Sequence, residues 1–448
     1  MKNFLKNNCQ PLVLAVLSFL TRFLFLSYPS DPVFDEVYFR EFVKNYFSGQ
    51  YYFDIHPPLG KLMIYFFASI SDLYNKNADV IIFRFLPAFF SAIFVLLIYY
   101  LILKMGLSKK AAFLGAALVL FDNAILVQSK FTLIDIFLLF FGFLSLYFLP
   151  WFKDAPAGSK KAYFFMALAA ISACLSFSIK WTGLSFFAIV GLIFLIDVFK
   201  NFNIKRVIIN LLLITVLPFL IYYSTFAVHF SLLTKPGTGD AYMSPAFQQM
   251  IEGENGAPKL NLWEKFAELN QKMYFYNSTL TETHPYGSRW YQWPLDKRPI
   301  WYWTKSTEPT AESEISSVYL VGNPAVWWVA LLGVVASIII LPFNFLRKKI
   351  PPILYILILG YFINLLPFIF ISRVAFIYHY FSSLIFGILI LAVLYDTFLK
   401  NIKNSFIFYW GFLSLVFLCF LLISPLTYGL SMASGISNYY DSFINLLL

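Results

Sequence analysis

An all-α, polytopic membrane protein is the fold class this sequence predicts, and three observations predict it. Of 448 residues, 60% are hydrophobic and only 12% are charged, against about 25% charged in soluble chains. The mean hydropathy is +0.72. The apolar residues fall in runs close to the roughly 20 residues that a helix needs to cross a bilayer. The net charge of +10 does not indicate nucleic acid, because Lys and Arg gather in short breaks between apolar runs, as loops on the cytoplasmic face do.

In chain order, the pattern predicts eleven spans, near 10–28, 82–103, 111–128, 133–152, 162–179, 182–199, 207–228, 325–345, 351–371, 374–395 and 405–424. The N-terminal stretch has no small-residue cleavage site and reads as a retained first span. "LMIYFFASI" at 62–70 is too short to cross and reads as interfacial. Cys9, Cys174 and Cys419 lie in or beside apolar runs without metal spacing and read as packing residues. The breaks "MKNFLK", "KMGLSKK", "KDAPAGSKK", "KNFNIKR", "RKK" and "KNIK" all belong on one side if that side is the cytoplasm. The N-terminus is then inside, and the loops 29–81 and 229–324 are extracytoplasmic. Three units follow: an N-terminal membrane module (1–228) carrying the first outer loop, a long outer loop (229–324), and C-terminal membrane helices (325–448). In the long loop "NLWEKFAELNQKMYFYN" reads as an amphipathic helix, beside an aromatic block, "HPYGSRWYQWPLDKRPIWYW".

Ionisable residues congregate at the outer ends of the spans, where each needs a partner or a cavity. "DPVFDEVYFREF" sets Asp35 and Glu36 side by side. Adjacent residues point in different directions, so one carboxylate can face a substrate while the other pairs with a cation such as Arg84. Asp122, Lys130, Asp135, Lys180, Arg373 and His379 occupy the outer parts of separate spans, and His56 precedes two prolines. Lys and Arg at this face suit a lipid-linked phosphate. ATP and nucleotide sugars are absent outside the cell, so an activated lipid fits the compartment. Each residue also has a plainer reading. Lys130 and Arg373 suit interfacial anchors, Asp135 a helix-terminal charge, Asp122 an ion pair, His379 a core position and His56 a loop fastener. Trp290, Trp293, Trp301 and Trp303 suit an aromatic belt, and "NST" at 277–279 matches a glycosylation sequon.

Five blocks, "DEVYFREFVKNYFSGQYYFDIHPPLGKL", "FDNAILVQSKFTLIDIFLLFF", "IKWTGL", "HPYGSRWYQWPLDKRPIWYW" and "GNPAVWW", resemble the protein O-mannosyltransferase family in its bacterial form. The resemblance implies a membrane glycosyltransferase fold of the GT-C type. It also implies inverting transfer of mannose from a polyprenyl phosphate to Ser or Thr of exported proteins. By position it makes Asp35 the general base and Glu36 its companion in the acidic motif. Lys180 becomes a donor-phosphate contact, and Arg84 and Asp135 support the site; the clustering of charge adds Arg84 and Arg373 to the phosphate contacts and Asp122, Lys130, His56 and His379 to the supporting residues. Arg289, Trp290, Gln292 and Trp293 fall on the acceptor side. The expected partners are a polyprenyl-phosphate sugar, an exported Ser/Thr-containing protein and the secretion translocon, with no nucleic acid. No cofactor is required, and a divalent metal at Asp35 stays an open alternative. Three features depart from the family: Lys130 replaces an arginine, "YHYFSSLIFG" lacks Leu-Pro-Ala after His-Tyr, and the outer loop is too short for a sugar-binding insert. A lipid or cell-wall acceptor, or a lipid-sugar flippase, are the competing functions.

Overall fold

The computed structural model describes residues 2–71, 79–280, 282–306, 314–347 and 350–448, with the side chains of 2–8, 79, 306 and 343–347 left aside. Parts of both outer loops and of the "RKK" break therefore lie outside the described residues. The chain begins with α1 (Lys2–Phe23), the short outer helices α2 (Glu36–Ser48) and α3 (Leu59–Ile70), then α4 (Asp79–Lys104), α5 (Lys109–Leu120) and α6 (Asn123–Lys130). The long helices α7 (Asp135–Asp154), α8 (Lys160–Phe177), α9 (Leu184–Lys200) and α10 (Ile204–Leu232) follow. The long outer loop holds α11 (Pro245–Glu252), α12 (Leu262–Thr279), β1 (Ile300–Ser306) and β2 (Glu314–Leu320). The chain closes with α13 (Pro324–Arg347), α14 (Ile353–Leu365), α15 (Phe381–Leu394), α16 (Ser405–Tyr428), β3 (Met432–Ala433) and α17 (Ser434–Leu447).

Every predicted span is mainly helical, but not every one is long and apolar enough over the described residues to cross a membrane. Among the described residues eight helical segments are long and apolar enough, or nine if α5 and α6 form one bent span. Near 10–28 the apolar stretch Cys9–Phe23 forms the greater part of the 22-residue α1, and near 351–371 the helical run is Ile353–Ile369. The span expected at 111–128 is broken by 58°. Asp122 causes the restart: its carboxylate accepts from the Ile125 N–H at 2.8 Å and caps α6. The carbonyls that α5 leaves open at its end are taken by Arg22, which is fully buried and donates to Leu120 O at 2.7 Å and Val119 O at 3.1 Å.

The segment of α15 is 89% buried, against 22% for α10 and 28% for α16. An all-apolar helix enclosed on every side is a core helix, and α15 is the one around which α5, α13 and α14 pack. The amphipathic stretch of the outer loop forms α12, whose start carries a reciprocal cap between Asn261 and Glu264. The rest of the loop differs from the expectation. The end of the aromatic block is strand β1, paired antiparallel with β2, which in turn pairs with β3 beyond α16. A bulge between Trp301 and Trp303 interrupts the ladder. Such an extra residue re-aims side chains, and here Tyr302 is buried toward the helices while Trp301 is exposed.

Candidate active site

The two carboxylates that open α2 have opposite surroundings. Glu36 is fully buried. Its Oε1 accepts from Arg84 Nε at 2.8 Å, and its Oε2 from Arg84 Nη2 at 2.6 Å. The Thr132 N–H and hydroxyl donate to the same Oε1 at 3.0 and 2.7 Å, and the Val33 N–H to Oε2 at 3.2 Å. Burial alone raises the pKa of this carboxyl, but the bonds and charge of Arg84, then Thr132, outweigh it and hold it below its ordinary value. Arg84 also donates to the carbonyls of Leu26, Pro29 and Asp31 at 3.2, 2.6 and 3.1 Å. Its guanidinium is therefore committed, and the expectation that Arg84 contacts a donor phosphate is corrected. The pair is a bolt that fastens the first outer loop to α4 and to the α6–α7 turn.

Asp35 is only partly buried. The residue before it, Phe34, sits at φ 44°, an uncommon backbone for a bulky side chain. An aromatic cluster grips it: Tyr302 stacks at 4.9 Å, and Phe376 and His284 pack edge-on at 5.6 and 6.0 Å. The carboxyl of Asp35 is pushed up to about 6. Burial is the largest cause. Lys180 opposes it, the charges of Asp135 and Asp54 add to it, and a hydrogen bond from the Tyr378 hydroxyl opposes it again.

Lys180 lies between α8 and α9 and is nearly buried, with Nζ 2.7 Å from Asp135 Oδ1 and 5.2 Å from the centre of the Tyr378 ring. Its turn depends on Gly183, where a Cβ would come within 2.5 Å of the Ser176 carbonyl carbon. The other Asp135 oxygen accepts from Gln128 Nε2 at 2.8 Å. Gln128 Oε1 in turn accepts from the Tyr302 hydroxyl. A polar chain therefore runs from the outer hairpin through Tyr302, Gln128 and Asp135 to Lys180.

Two cavities meet at this end of the bundle. One, of about 340 Å³, is lined by Asp135, Lys180, Arg373, Tyr378, His379 and His56, with Leu138, Leu139, Leu184 and Ala188 forming an apolar wall. Asp35 is not part of that lining; its tie to the cavity is Tyr378. His56 is held by its loop, since Lys61 pairs with Asp54 and donates to the His56 carbonyl at 2.9 Å. Burial, then the charges of Lys180, Arg373 and Lys61, keep its imidazole neutral, well below its ordinary pKa. His379 stacks on Trp293 at 5.9 Å. Asn277 also lines the cavity, with its amide given to the carbonyls of Ile55 and Met273, so the sequon asparagine is a packing residue. The second cavity, of about 470 Å³, contains Arg289, Trp290, Gln292 and Trp293 and shares Phe368, Ile371 and Arg373 with the first. Trp293 is buried there as a pillar, donating to Ser288 Oγ at 2.8 Å.

Two sequence-selected residues lie elsewhere. Asp122, besides capping α6, accepts from Trp327 Nε1 at 2.7 Å and the Asn323 N–H at 3.3 Å, binding α6 to α13. Lys130 is fully buried, its amine without a hydrogen-bond partner among the described residues and 5.0 Å from the centre of the Tyr428 ring. Neither lines the cavities. Conversely, the sequence reading passed over Tyr378, Gln128, Tyr302 and Phe34. Gln128 alone left a signal, an amide inside the apolar run "AILVQSKF". Among the described residues no three His, Cys, Asp or Glu side chains cluster as metal ligands would.

A many-span bundle with an acidic first outer loop defines the GT-C class of membrane glycosyltransferase folds. Comparisons with known proteins agree. A family model described as dolichyl-phosphate-mannose-protein mannosyltransferase matches residues 12–234, and one described as the C-terminal four-span region of protein O-mannosyltransferase matches 262–443. The chain belongs to the protein O-mannosyltransferase family. It is 32% identical to dolichyl-phosphate-mannose–protein mannosyltransferase 6 of Saccharomyces cerevisiae over 54% of this chain and 35% of that protein. It is 30% identical to protein O-mannosyltransferase 1 of Drosophila melanogaster over 54% and 30%. The chain thus spans about a third of the length of these relatives. A Saccharomyces cerevisiae protein O-mannosyltransferase complex bound to the sugar donor superposes with a TM-score of 0.83 at 18% identity, covering 95% of this chain and 90% of the other. An archaeal oligosaccharyltransferase from Archaeoglobus fulgidus gives 0.53 at 15% identity, over 98% and 60%.

Proposed function

We propose that this protein is an inverting glycosyltransferase that moves mannose from a polyprenyl phosphate to Ser or Thr hydroxyls of exported proteins. The reaction takes place at the outer face of the cytoplasmic membrane, with the N-terminus inside. Family membership supports mannosyl transfer to protein. The observation that carries the site assignment is the convergence of Tyr378, Lys180 and Asp135 on a cavity with one apolar wall, with Asp35 joined to it through the Tyr378 hydroxyl.

In this reading the donor phosphate lies against Lys180 and Arg373, and the polyprenyl chain runs along Leu138, Leu139, Leu184 and Ala188. The acceptor hydroxyl takes the place of the Tyr378 hydroxyl as donor to Asp35. Its oxygen attacks the anomeric carbon from the side opposite the phosphate. The carbon–oxygen bond to phosphate breaks, the proton passes to Asp35, and the phosphate leaves with its charge held by the two cations. An aspartate is too weak a base to take the proton beforehand, so transfer accompanies attack. The second cavity, around Arg289, Trp290 and Gln292, receives the acceptor chain, and a segment emerging from a translocon would meet it unfolded.

The test is purified protein with labelled polyprenyl-phosphate mannose and a Ser/Thr-rich peptide, read by mass spectrometry. The mannosylated peptide should carry inverted anomeric configuration, in the presence of a strong chelator as in its absence. Lys180→Ala should raise the donor KM while the peptide KM stays constant. Label appearing in lipid with the peptide unmodified would replace the acceptor in this reading, and flux of the donor without any product would replace the reaction.

A further inference from the structure

The opposite end of the bundle carries a third concavity of different chemistry. It has a volume of about 400 Å³ and is walled by Leu114 of α5, Val329 of α13, Leu391 of α15, Phe412 of α16, and Leu399 and Ile402 from the α15–α16 turn. Two of its four helical walls are exposed: the α13 and α16 segments are 39% and 28% buried, whereas α15 is the enclosed core helix. In a membrane this groove therefore opens to hydrocarbon.

Its mouth is built and charged. The turn between α15 and α16 is fastened to the start of α5, because Asp396 accepts from the Ser108 N–H at 3.1 Å. The same carboxylate is neutralised by Lys400 at 2.9 Å. The Tyr409 hydroxyl, on the groove wall, donates to the Lys110 carbonyl at 3.0 Å and ties the backbone of that residue to the groove. Lys110 is exposed, and so is Lys403, which follows Ile402 of the lining. Trp410, next in the chain to the lining residue Tyr409, is 47% exposed, and such amphipathic rings favour the membrane–water interface. Among the described residues neither Lys110 nor Lys403 forms an ion pair, so two positive charges adjoin an apolar slot.

We propose that this groove is a binding site for an anionic phospholipid, its acyl chain between α13 and α16 and its phosphate between Lys110 and Lys403. A hydrocarbon chain matches the walls, and a negative headgroup matches the two lysines. Lysines near a membrane surface favour anionic lipid by roughly fivefold each. The site is remote from Asp35 and Lys180, so it stands or falls independently of the transferase reading.

Native mass spectrometry tests it on the delipidated full chain mixed with equal phosphatidylglycerol and phosphatidylcholine. Wild type should retain phosphatidylglycerol roughly 25-fold over phosphatidylcholine. Lys110→Gln with Lys403→Gln should bring the two lipids to parity. Val329→Phe, or Leu114→Phe from the opposite wall, should fill the slot and lose the retained lipid, with an unchanged elution profile as the folding control. Equal retention of both lipids by wild type, or full retention by both filled variants, would overturn the proposal. So would a filled variant that converts a dimer to a monomer by light scattering, since the groove would then seat a second copy.

Discussion

Substituting the neighbours Asp35 and Glu36 one at a time should separate catalysis from folding. Asp35→Asn removes a partly buried carboxylate whose pKa stands at about 6 rather than 3.8. At neutral pH the charged form is therefore strained, by about 2 kcal/mol after allowing for its partial exposure. The sign follows from the direction of the shift: stability is fullest when this group is protonated and is lost as pH rises through about 6. A neutral amide should leave the apparent melting temperature equal or higher while the rate falls by roughly 10²–10⁴. Glu36→Gln does the reverse. It removes the charge facing a fully buried guanidinium, and breaking a buried pair from one side costs about 3–5 kcal/mol. That loss should lower the melting temperature by several degrees, and activity should fall because the loop carrying Asp35 comes loose. Both variants are measured in one detergent by thermal shift and by peptide mannosylation. An unaltered melting temperature for Glu36→Gln beside a destabilised Asp35→Asn would refute the division of roles.

The Asp35 carboxyl must be ionised to accept a proton, so kcat/KM should rise with pH through an apparent value of about 6 and level off above it. Asp35→Glu should shift that limb, whereas variants in the second cavity should not. The polar chain from the outer hairpin predicts that Gln128→Ala and Tyr302→Phe act through Asp135 and Lys180. Each should raise the donor KM several-fold with a smaller change in kcat, and Gln128→Glu should fail to rescue, because its carboxylate would face Asp135 Oδ2 at the present 2.8 Å. Equal loss of kcat and stability in these variants would make them structural only.

Hydrophobic run length was enough to place the long helices, because a bilayer imposes a length on any helix that crosses it. The break at Asp122 escaped that pattern. A capping carboxylate inside an apolar run leaves the average hydropathy nearly unchanged while it ends one helix and starts another. The hairpin escaped too, because the bulge at Trp301–Trp303 destroys the alternation by which a strand is read.

For the site, residue chemistry and spacing alone could say that one end of the spans gathers an acid pair, several cations and an aromatic loop. They could not say which carboxylate is free. Side chains 48 and 96 residues away decide it: Arg84 and Thr132 saturate Glu36 and leave Asp35 to Tyr378. The same holds for Arg84 itself, whose charge suggested phosphate until three carbonyls and Glu36 used up its donors. Composition and spacing bound what a residue can do, because they are local. Which of those things it does depends on partners brought from elsewhere in the chain, and only the tertiary structure supplies them.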